Sequence, residues 1–387
     1  MRIGIISGEF PPMQGGVGAY TRILAENLNE QGQEVSVFST QAASYDHAAI
    51  PLERSLARWD WRSLGAVRQW ARRQTLDLVS LQYQTAAYNM SPWIHLLPDA
   101  LRPLPFVTTF HDLRPPYWFP KAGRLRHWLV KRLAQASTGV IATNHEDFAQ
   151  LSALSSVLIP IGSNIVSSVD VSDQAELQRL RLDLGYDINS FLIAFFGLVN
   201  RSKGLHTLVD ALAGLRERGC PARVIVVGGT VGSSDPSNLD YAKTIERQIA
   251  SLGLSSAVQF TGYLDDDTVG RYLAAADCIA LPFEDGASFR RGSLMAALRY
   301  GMAIVTTPPC TEIAEFVDGK NLLSVPPADA NALADALWLL WQQPDLRATL
   351  KRGAAALAPA FEWDAIARAH IQFFQQVLET SRDQTAP

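Results

Sequence analysis

The chain has 387 residues, of which 48% are hydrophobic and 19% charged, and its formal net charge is -4. This length exceeds one ordinary hydrophobic core, so we expect two domains. The slightly negative balance gives no reason to expect a nucleic-acid partner. Three scattered cysteines without a CxxC pair argue against a disulfide framework or a zinc site, and they fit a reducing compartment.

The N-terminal residues MRIGIISGEF predict a first strand, because the apolar run before Glu9 is too short for a signal peptide. Residues 78–98 carry no formal charge, but Gln82, Asn89 and other polar residues exclude a membrane span there. We therefore expect a cytoplasmic protein.

Short apolar segments alternate with segments of helical periodicity over residues 1–165. The predicted strands are RIGIIS, EVSVFS, LDLVSL, PFVTTF and TGVIAT, with helices over 17–31, 63–74, 92–101 and 124–136. This alternation is typical of a doubly wound parallel sheet. We interpret the polar residues 166–184 as a linker.

A second series of strands and helices follows the linker. Its strands are FLIAFF, ARVIVVGG, AVQFTG, CIALPF, AIVTT and NLLSVP, with helices near 205–218, 240–252, 266–276, 292–300 and 330–342. Residues 185–362 therefore form a second Rossmann-like domain, and two such α/β domains leave a cleft between them. Residues from Trp363 to about 380 are predicted to form a helix, but periodicity alone does not show where in the fold this helix packs.

The turn after FLIAFF has the features of an anion site. Gly197 ends the predicted strand, and Gly204 opens the next helix, where free N–H groups and the helix dipole attract negative charge. Arg201 and Lys203 add formal charge to the same turn. A solvated loop is the competing interpretation.

A second glycine-rich turn follows the first strand, where Gly15 and Gly16 precede a helix. The spacing is not GxGxxG, and no acidic residue follows the second strand to bind a ribose, which argues against a nicotinamide enzyme. His111 comes directly after the strand PFVTTF, at an edge where parallel sheets bind ligands. One such loop in each domain predicts a ligand with a phosphate-bearing end.

The segment CIALPFEDGASFRRGSLMAAL combines acids with a basic helix start. Two interpretations stay open: the acids and arginines pair in a surface turn, or the arginines and the helix N-terminus bind a diphosphate. The residues concerned are Glu284, Asp285, Gly286, Arg290, Arg291, Gly292 and Ser293.

Residues 114–132 interleave six cations with aromatic side chains and contain no acid. Such a segment suits contact with an anionic membrane surface or a lipid-linked acceptor at the inner face. A solvated helix with a few core aromatics is the commoner explanation.

Taken together, these motifs resemble the retaining GT-B glycosyltransferases of family 4, over residues 1 to about 380. The matching segments include EFPPMQGGVGAYTRILAENL, HDL, IPIGSNI, FFGLVNRSKGLHTLVDAL, VQFTGYL and GMAIVTTPPCTEIAEFVDGKNLL. The resemblance implies two facing Rossmann-like domains, a nucleoside diphosphate sugar as donor, no metal or other cofactor, and a last helix that crosses back to the first domain.

The same resemblance assigns roles to individual residues. Arg201 and Lys203 would bind the donor diphosphate, Gly15 and Gly16 would form the opposite wall, and His111 would contact the transferred sugar. The segment from Glu284 to Gly286 would also face the sugar, and Arg290, Arg291, Gly292 and Ser293 would add diphosphate contacts.

Two positions depart from the family pattern. Leu198 stands where an arginine commonly follows the glycine of the basic turn. Ala296 occupies the place of the second of two glutamates spaced eight apart, normally a ribose ligand. The family's EX7E motif is therefore divergent, and Arg290, Arg291 and Ser293 could supply other contacts.

We predict a retaining glycosyltransferase that moves a sugar onto a glycan, a lipid-linked acceptor or a small molecule. Stabilising the departing diphosphate is its main catalytic task. Two alternatives stay open: a non-catalytic binding module that has lost the ribose glutamate, and another GT-B enzyme such as a sugar phosphorylase or a nucleotide-sugar epimerase.

Overall fold

A computed structural model describes residues 1–13, 15–113, 123–165, 173–229 and 236–383. The chain divides into two compact units, the first made of Met1–Gly162 and Trp363–Pro387 and the second of Ser163–Glu362. Each unit is built on one parallel sheet flanked by helices. Two Rossmann-like α/β domains, as the alternating pattern predicts, are therefore confirmed.

The first unit holds a seven-stranded sheet in the order β3-β2-β1-β4-β5-β6-β7. Alternate side chains of its central strands enter two different hydrophobic clusters, one on each face, as expected for a parallel sheet covered on both sides. The strands are β1 (Arg2–Ser7), β2 (Glu34–Thr40), β3 (Leu52–Leu56), β4 (Leu78–Tyr83), β5 (Phe106–Phe110), β6 (Gly139–Ala142) and β7 (Ser156–Leu158).

Among the described residues, five helices connect these strands, with short 3-10 turns at Thr85–Tyr88 and Pro92–Leu96. They are α1 (Gly16–Glu30), α2 (Arg62–Arg73), α3 (Leu97–Leu101), α4 (Gly123–Ala136) and α5 (His145–Leu151). The edge strands β3 and β7 and the helix α5 were not predicted. β3 is only partly buried, so its sequence lacks the continuous apolar run of the central strands.

The second unit holds a six-stranded sheet in the order β10-β9-β8-β11-β12-β13. Its strands are β8 (Phe191–Phe196), β9 (Ala222–Val227), β10 (Val258–Phe260), β11 (Cys278–Leu281), β12 (Ile304–Thr306) and β13 (Leu323–Ser324). Its helices are α6 (Gln174–Asp183), α7 (Leu205–Glu217), α8 (Pro236–Ser251), α9 (Asp266–Ala275), α10 (Gly292–Arg299), α11 (Ala330–Gln342) and α12 (Pro344–Leu357).

The predicted linker contains structure. Helix α6 lies within residues 166–184 and begins where the Asp173 carboxylate accepts the backbone N–H groups of Ala175 and Glu176. Arg181 then pairs with Asp277 in the second unit, at 3.1 Å between Nη1 and Oδ1. The polar composition of α6 therefore reflects a surface helix anchored by a charge pair.

The C-terminal helix, α13 (Trp363–Asp383), belongs to the first unit. The indole of Trp363 meets the ring of Tyr20 edge-on at 5.1 Å between centroids, and Phe374 is fully buried. Gln31, after α1, donates a hydrogen bond of 2.7 Å to Asp364. The return of the last helix to the first domain matches the arrangement that the family resemblance implies.

Candidate functional site

The loops singled out by sequence lie at the carboxyl ends of strands beside a reversal of strand order. In the second sheet, β8 lies between β9 and β11, so the chain leaves in opposite directions from the neighbouring strands β8 and β11. Open α/β sheets bind ligands at such a point. The loop after β8 contains residues 197–204, and the loop after β11 contains residues 282–291.

The turn at residues 197–204 requires its glycines. Gly197 and Gly204 have φ angles of 115° and 71°, a region that residues with a side chain rarely adopt. A Cβ at residue 204 would strike the carbonyl oxygen of Pro282, which is rigid backbone. The Asn200 side chain accepts the N–H of Lys203 at 3.2 Å and caps a short 3-10 helix over Arg201–Lys203.

Lys203 is the more buried of the two cations in this turn. Its ammonium group lies where a Cβ of Gly197 would be. Burial, with a smaller contribution from Arg291, lowers the pKa of Lys203 to about 8. Arg201, in contrast, has a 78% exposed side chain, so the turn presents one desolvated and one solvated cation.

Glu284 ties the second loop to the first. Its backbone N–H donates to the carbonyl of Ser202 at 2.9 Å. One carboxylate oxygen, Oε1, lies 3.3 Å from His206 Nε2 and 3.7 Å from Arg201 Nε. Sequence reasoning did not select His206, which reads as a polar residue in the first turn of α7.

The next residues form a compact charged turn. Arg291 pairs with Asp285, and its guanidinium lies 4.7 Å from the centre of the Phe283 ring. Gly286 has a φ of 81°, and a Cβ there would approach the carbonyl of Pro308. Of the two interpretations of this segment, the paired turn is therefore the arrangement present, and an anionic ligand would compete with Asp285 for Arg291.

Helix α10 begins at Gly292, as predicted, with Arg291 at its N-cap position, and the Arg291 side chain makes no capping hydrogen bond. The Ser293 side chain is buried, and Ala296 is fully buried. The start of α10 thus offers backbone donors for an anion. Ala296 brings no acceptor for a hydroxyl.

In the first unit, β1 and β4 are neighbours at the corresponding reversal of strand order. Gly15 caps α1 in an extended conformation, with φ of -174°. The Glu9 carboxylate lies where a Cβ of Gly15 would be, whereas a Cβ on Gly16 would meet nothing within 4 Å. Burial raises the pKa of Glu9. Sequence reasoning did not select Glu9 as a site residue.

His111 follows β5 and is held from several sides. Its backbone N–H donates to the carbonyl of Tyr83 at 3.0 Å, and its Nε2 lies 3.0 Å from Gln82 Oε1. The fully buried Gln82 also donates to the Ser80 hydroxyl at 3.1 Å. An amide oxygen only accepts, so Nε2 of His111 carries the proton and Nδ1 is an acceptor.

A second histidine, the fully buried His370, contacts the same tyrosine, Tyr20, as His111. His370, on α13, lies with Nδ1 2.8 Å from the Ile366 carbonyl and Nε2 3.3 Å from the Tyr20 hydroxyl. The Tyr20 ring packs against His111 at 4.6 Å. Burial, and in the case of His111 the nearby His370, lowers the pKa of His111 to about 3 and that of His370 to about 4. His111 is therefore neutral near pH 7 and suited to hydrogen bonding.

The predicted membrane-contact segment, residues 114–132, lies partly outside the described residues. Within its described part, Arg132 donates to Asp99 at 2.7 Å and to the His95 carbonyl at 2.8 Å, and the Trp128 side chain is exposed. No helix among the described residues is long and apolar enough to cross a membrane. The same part of the chain contains no cluster of three or more metal-ligating side chains.

A cavity of about 410 Å³ lies elsewhere in the first unit. Its lining comes from the end of α2 and from residues 101–105, which precede β5. It is therefore at the amino end of that strand and separate from the edge that carries His111.

Two known protein families match parts of this chain. Residues 15–157 match the glycosyl transferase 4-like domain, and residues 190–343 match the glycosyl transferases group 1 family. With the two Rossmann-like domains, these matches define a glycosyltransferase of the GT-B type.

Particular relatives share this organisation. The chain is 26% identical to the phosphatidyl-myo-inositol mannosyltransferase of Mycobacterium leprae, over 97% of each chain. It is 29% identical to the D-inositol 3-phosphate glycosyltransferase of Corynebacterium urealyticum over 61% of this chain, and that match spans only about half, 54%, of the relative's length.

Solved structures agree on the fold. Sucrose-phosphate synthase from Thermosynechococcus elongatus superposes with a TM-score of 0.77 at 20% identity, over 98% of this chain and 99% of that one. HepE from Anabaena, solved in complex with UDP and glucose, gives a TM-score of 0.74 at 21% identity, over 97% and 99%.

Proposed function

We propose that this protein transfers a sugar from a nucleoside diphosphate sugar to a glycan, lipid-linked or small-molecule acceptor, with retention of anomeric configuration. The observation that carries the proposal is the cationic turn of the second unit. Lys203 lies beside Gly197, and Arg201 is in the same turn, where strand order reverses. The relative from Mycobacterium leprae is a mannosyltransferase, and the structural neighbour HepE was solved with UDP.

The proposed chemistry depends on the leaving group. Cleavage of the bond between sugar and diphosphate develops negative charge on the diphosphate, and preorganised cations and N–H groups lower the barrier most where that charge appears. Lys203 would meet this charge from a desolvated position, where a cation acts more strongly than in water. Backbone N–H groups at the start of α10 would add donors without a side-chain rearrangement.

In the first unit, His111 would serve the transferred sugar as a neutral hydrogen-bond acceptor through Nδ1. With its pKa near 3, the ring is a poor general base at neutral pH. Retention would follow from attack on the same face, with the leaving phosphate accepting the proton of the acceptor hydroxyl. Glu9 is the carboxylate to test as an alternative nucleophile, since it lies against Gly15.

The decisive variant is Lys203→Ala. Thermal shifts of the wild type with a panel of UDP, GDP, ADP and their sugars should first identify the sugar donor. With that sugar donor, we expect the variant to lower kcat by about 100-fold, the typical effect of losing one group that stabilises transition-state charge. The exposed Lys320 provides a matched control, Lys320→Ala, with unchanged kcat. Full transfer by Lys203→Ala would overturn the assignment of this turn.

The reaction products test the rest of the proposal. Proton NMR of the newly formed glycoside should show the anomeric configuration of the donor sugar, and inversion would refute retention. Binding without transfer or donor hydrolysis would indicate a non-catalytic module. Dependence on inorganic phosphate would indicate a phosphorylase, and interconversion of nucleotide sugars an epimerase.

A further inference from the structure

A fully buried glutamine lies beside His111 at the carboxyl end of the first sheet. Gln82 on β4 pairs in register with Thr109 on β5. Because successive side chains alternate between the two faces of a strand, Thr109 and His111 lie on one face, where the Gln82 Oε1 atom is 3.0 Å from His111 Nε2. Helices α1 and α13 cover this face and share one hydrophobic cluster with it. Gln82 is therefore a polar side chain at the edge of an apolar layer.

Both ends of the Gln82 amide have a partner. The nitrogen donates to the hydroxyl of Ser80, which is also fully buried, at 3.1 Å, and the oxygen accepts from His111. The Tyr88 hydroxyl donates to the Gln82 backbone carbonyl at 2.9 Å, which holds the main chain as well. Burying an amide costs free energy unless its polar atoms are hydrogen-bonded. His111 is thus the group that satisfies the Gln82 oxygen.

The orientation of this amide determines the tautomer of His111. With the amide oxygen toward the ring, Nε2 carries the proton and Nδ1 accepts. A reversed amide would present its NH₂ group instead and require the opposite tautomer. The ring is neutral near pH 7, because burial lowers its pKa to about 3, so it has a single proton to place. Gln82 therefore sets the kind of hydrogen bond that Nδ1, on the other side of the ring, can make.

The plane of the His111 ring is held by a different contact. Tyr20 on α1 meets the ring edge-on, with 4.6 Å between centroids and 79° between planes. The Tyr20 hydroxyl is directed to His370 on α13, 3.3 Å from its Nε2. This ring contact orients the imidazole without a hydrogen bond to either of its nitrogens, so the position of the proton depends on Gln82.

We infer that Gln82 is a positioning residue that keeps the lone pair of His111 Nδ1 toward the transferred sugar. The inference rests on the proposed function, in which His111 contacts that sugar. Glycosyl transfer passes through an oxocarbenium-like transition state with positive charge on the sugar. A lone pair directed at the sugar favours this charge, whereas an N–H group in its place opposes it. Gln82 thereby acts on the chemical step without touching the substrate.

The tautomer is measured directly by ¹⁵N NMR of protein with labelled histidines, with His111→Ala to assign the resonances. The wild-type ring should be protonated at Nε2 alone. The double variant Ser80→Ala/Gln82→Met removes both hydrogen-bonding side chains together, so no buried hydroxyl loses its partner. We expect the His111 ring of this variant to show a mixture of both tautomers.

Kinetics with the sugar donor identified by thermal shift test the role in transfer. The double variant should lower kcat about 3- to 10-fold, the effect of about one hydrogen bond. In a His111→Ala background it should lower kcat no further, because Gln82 acts through His111. The Kd of the nucleoside diphosphate should not change, because Lys203, its proposed ligand, belongs to the other unit. Gln375→Met, at an exposed glutamine on α13, is the control.

The wild-type spectrum decides the inference even if the variant does not fold. A ring protonated at Nδ1 in the wild type would overturn it and leave the proposed function intact. An equal loss of kcat with and without His111, or an unchanged kcat with mixed tautomers, would do the same. A wild type that transfers sugar from no nucleotide sugar would refute the proposed function and the inference with it.

Discussion

Two histidines, the partly buried His111 and the fully buried His370, make the first unit sensitive to acid. His111 and His370 are neutral in the folded protein, with pKa values of about 3 and 4 against an ordinary value of 6.5. The unfolded chain therefore binds more protons than the folded one below pH 6.5, and stability falls as the pH drops from there toward the folded pKa values.

The size of the effect follows from these values. Between pH 7 and pH 5, protonation of the unfolded state at pKa 6.5 lowers the unfolding free energy by about 2 kcal/mol for each histidine. Two histidines then remove about 4 kcal/mol, a large part of the about 5–15 kcal/mol that holds a typical domain. His95, whose pKa is also lowered by burial, acts in the same direction.

The double variant Tyr20→Phe/His370→Phe isolates one of the two contributions. It removes both partners of a buried hydrogen bond, so no buried hydroxyl loses its acceptor. Hydrogen exchange of the β4 and β5 segments at pH 7 and pH 5 would report opening of the first unit. We expect the variant to lose about 2 kcal/mol less than the wild type over this interval.

A matched variant, His127→Asn, changes an exposed histidine on α4 and should keep the wild-type pH dependence. The reasoning is refuted if the wild type is equally stable at the two pH values. It is also refuted if the double variant retains the whole acid-induced loss.

Two further changes test the second unit. Gly204→Ala should destabilise it by about 2 kcal/mol or more, because residue 204 has a φ of 71° and its Cβ would strike the Pro282 carbonyl. Gly219→Ala, at a φ of 85° with nothing near its Cβ, should cost less in urea unfolding, and equal losses would exclude the collision. Arg181→Met should cost about 3 kcal/mol, because the largely buried Asp277 carboxylate loses its charged partner and, among the described residues, keeps only the Leu192 N–H; an unchanged melting temperature would contradict this.

Much of the fold could be predicted because buried parallel strands are continuous apolar runs. FLIAFF and PFVTTF coincide with β8 and β5 to within a residue. The prediction of secondary structure failed for elements that are only partly buried and for an element that an ion pair anchors. The edge strand β3 exposes residues on its outer side, and α6 depends on the distant partner Asp277.

The candidate site divides in the same way. Arg201, Lys203 and Gly204 could be found from sequence, because a strand, a basic glycine turn and a helix follow one another locally. Glu9, Gln82 and His206 could not be found, because the residues that they contact are brought close only by the fold.

The sequence by itself determined the two α/β domains and the glycine turns at their strand ends. It also showed Ala296 at the position where the family resemblance places a glutamate. These features depend on local periodicity and backbone conformation, which nearby residues dictate. Only the tertiary structure decided that His111 is neutral beside Gln82 and that the Glu284 carboxylate lies 3.3 Å from His206 Nε2. Desolvation and hydrogen-bond direction come from neighbours distant along the chain, so they exist only once the chain is folded.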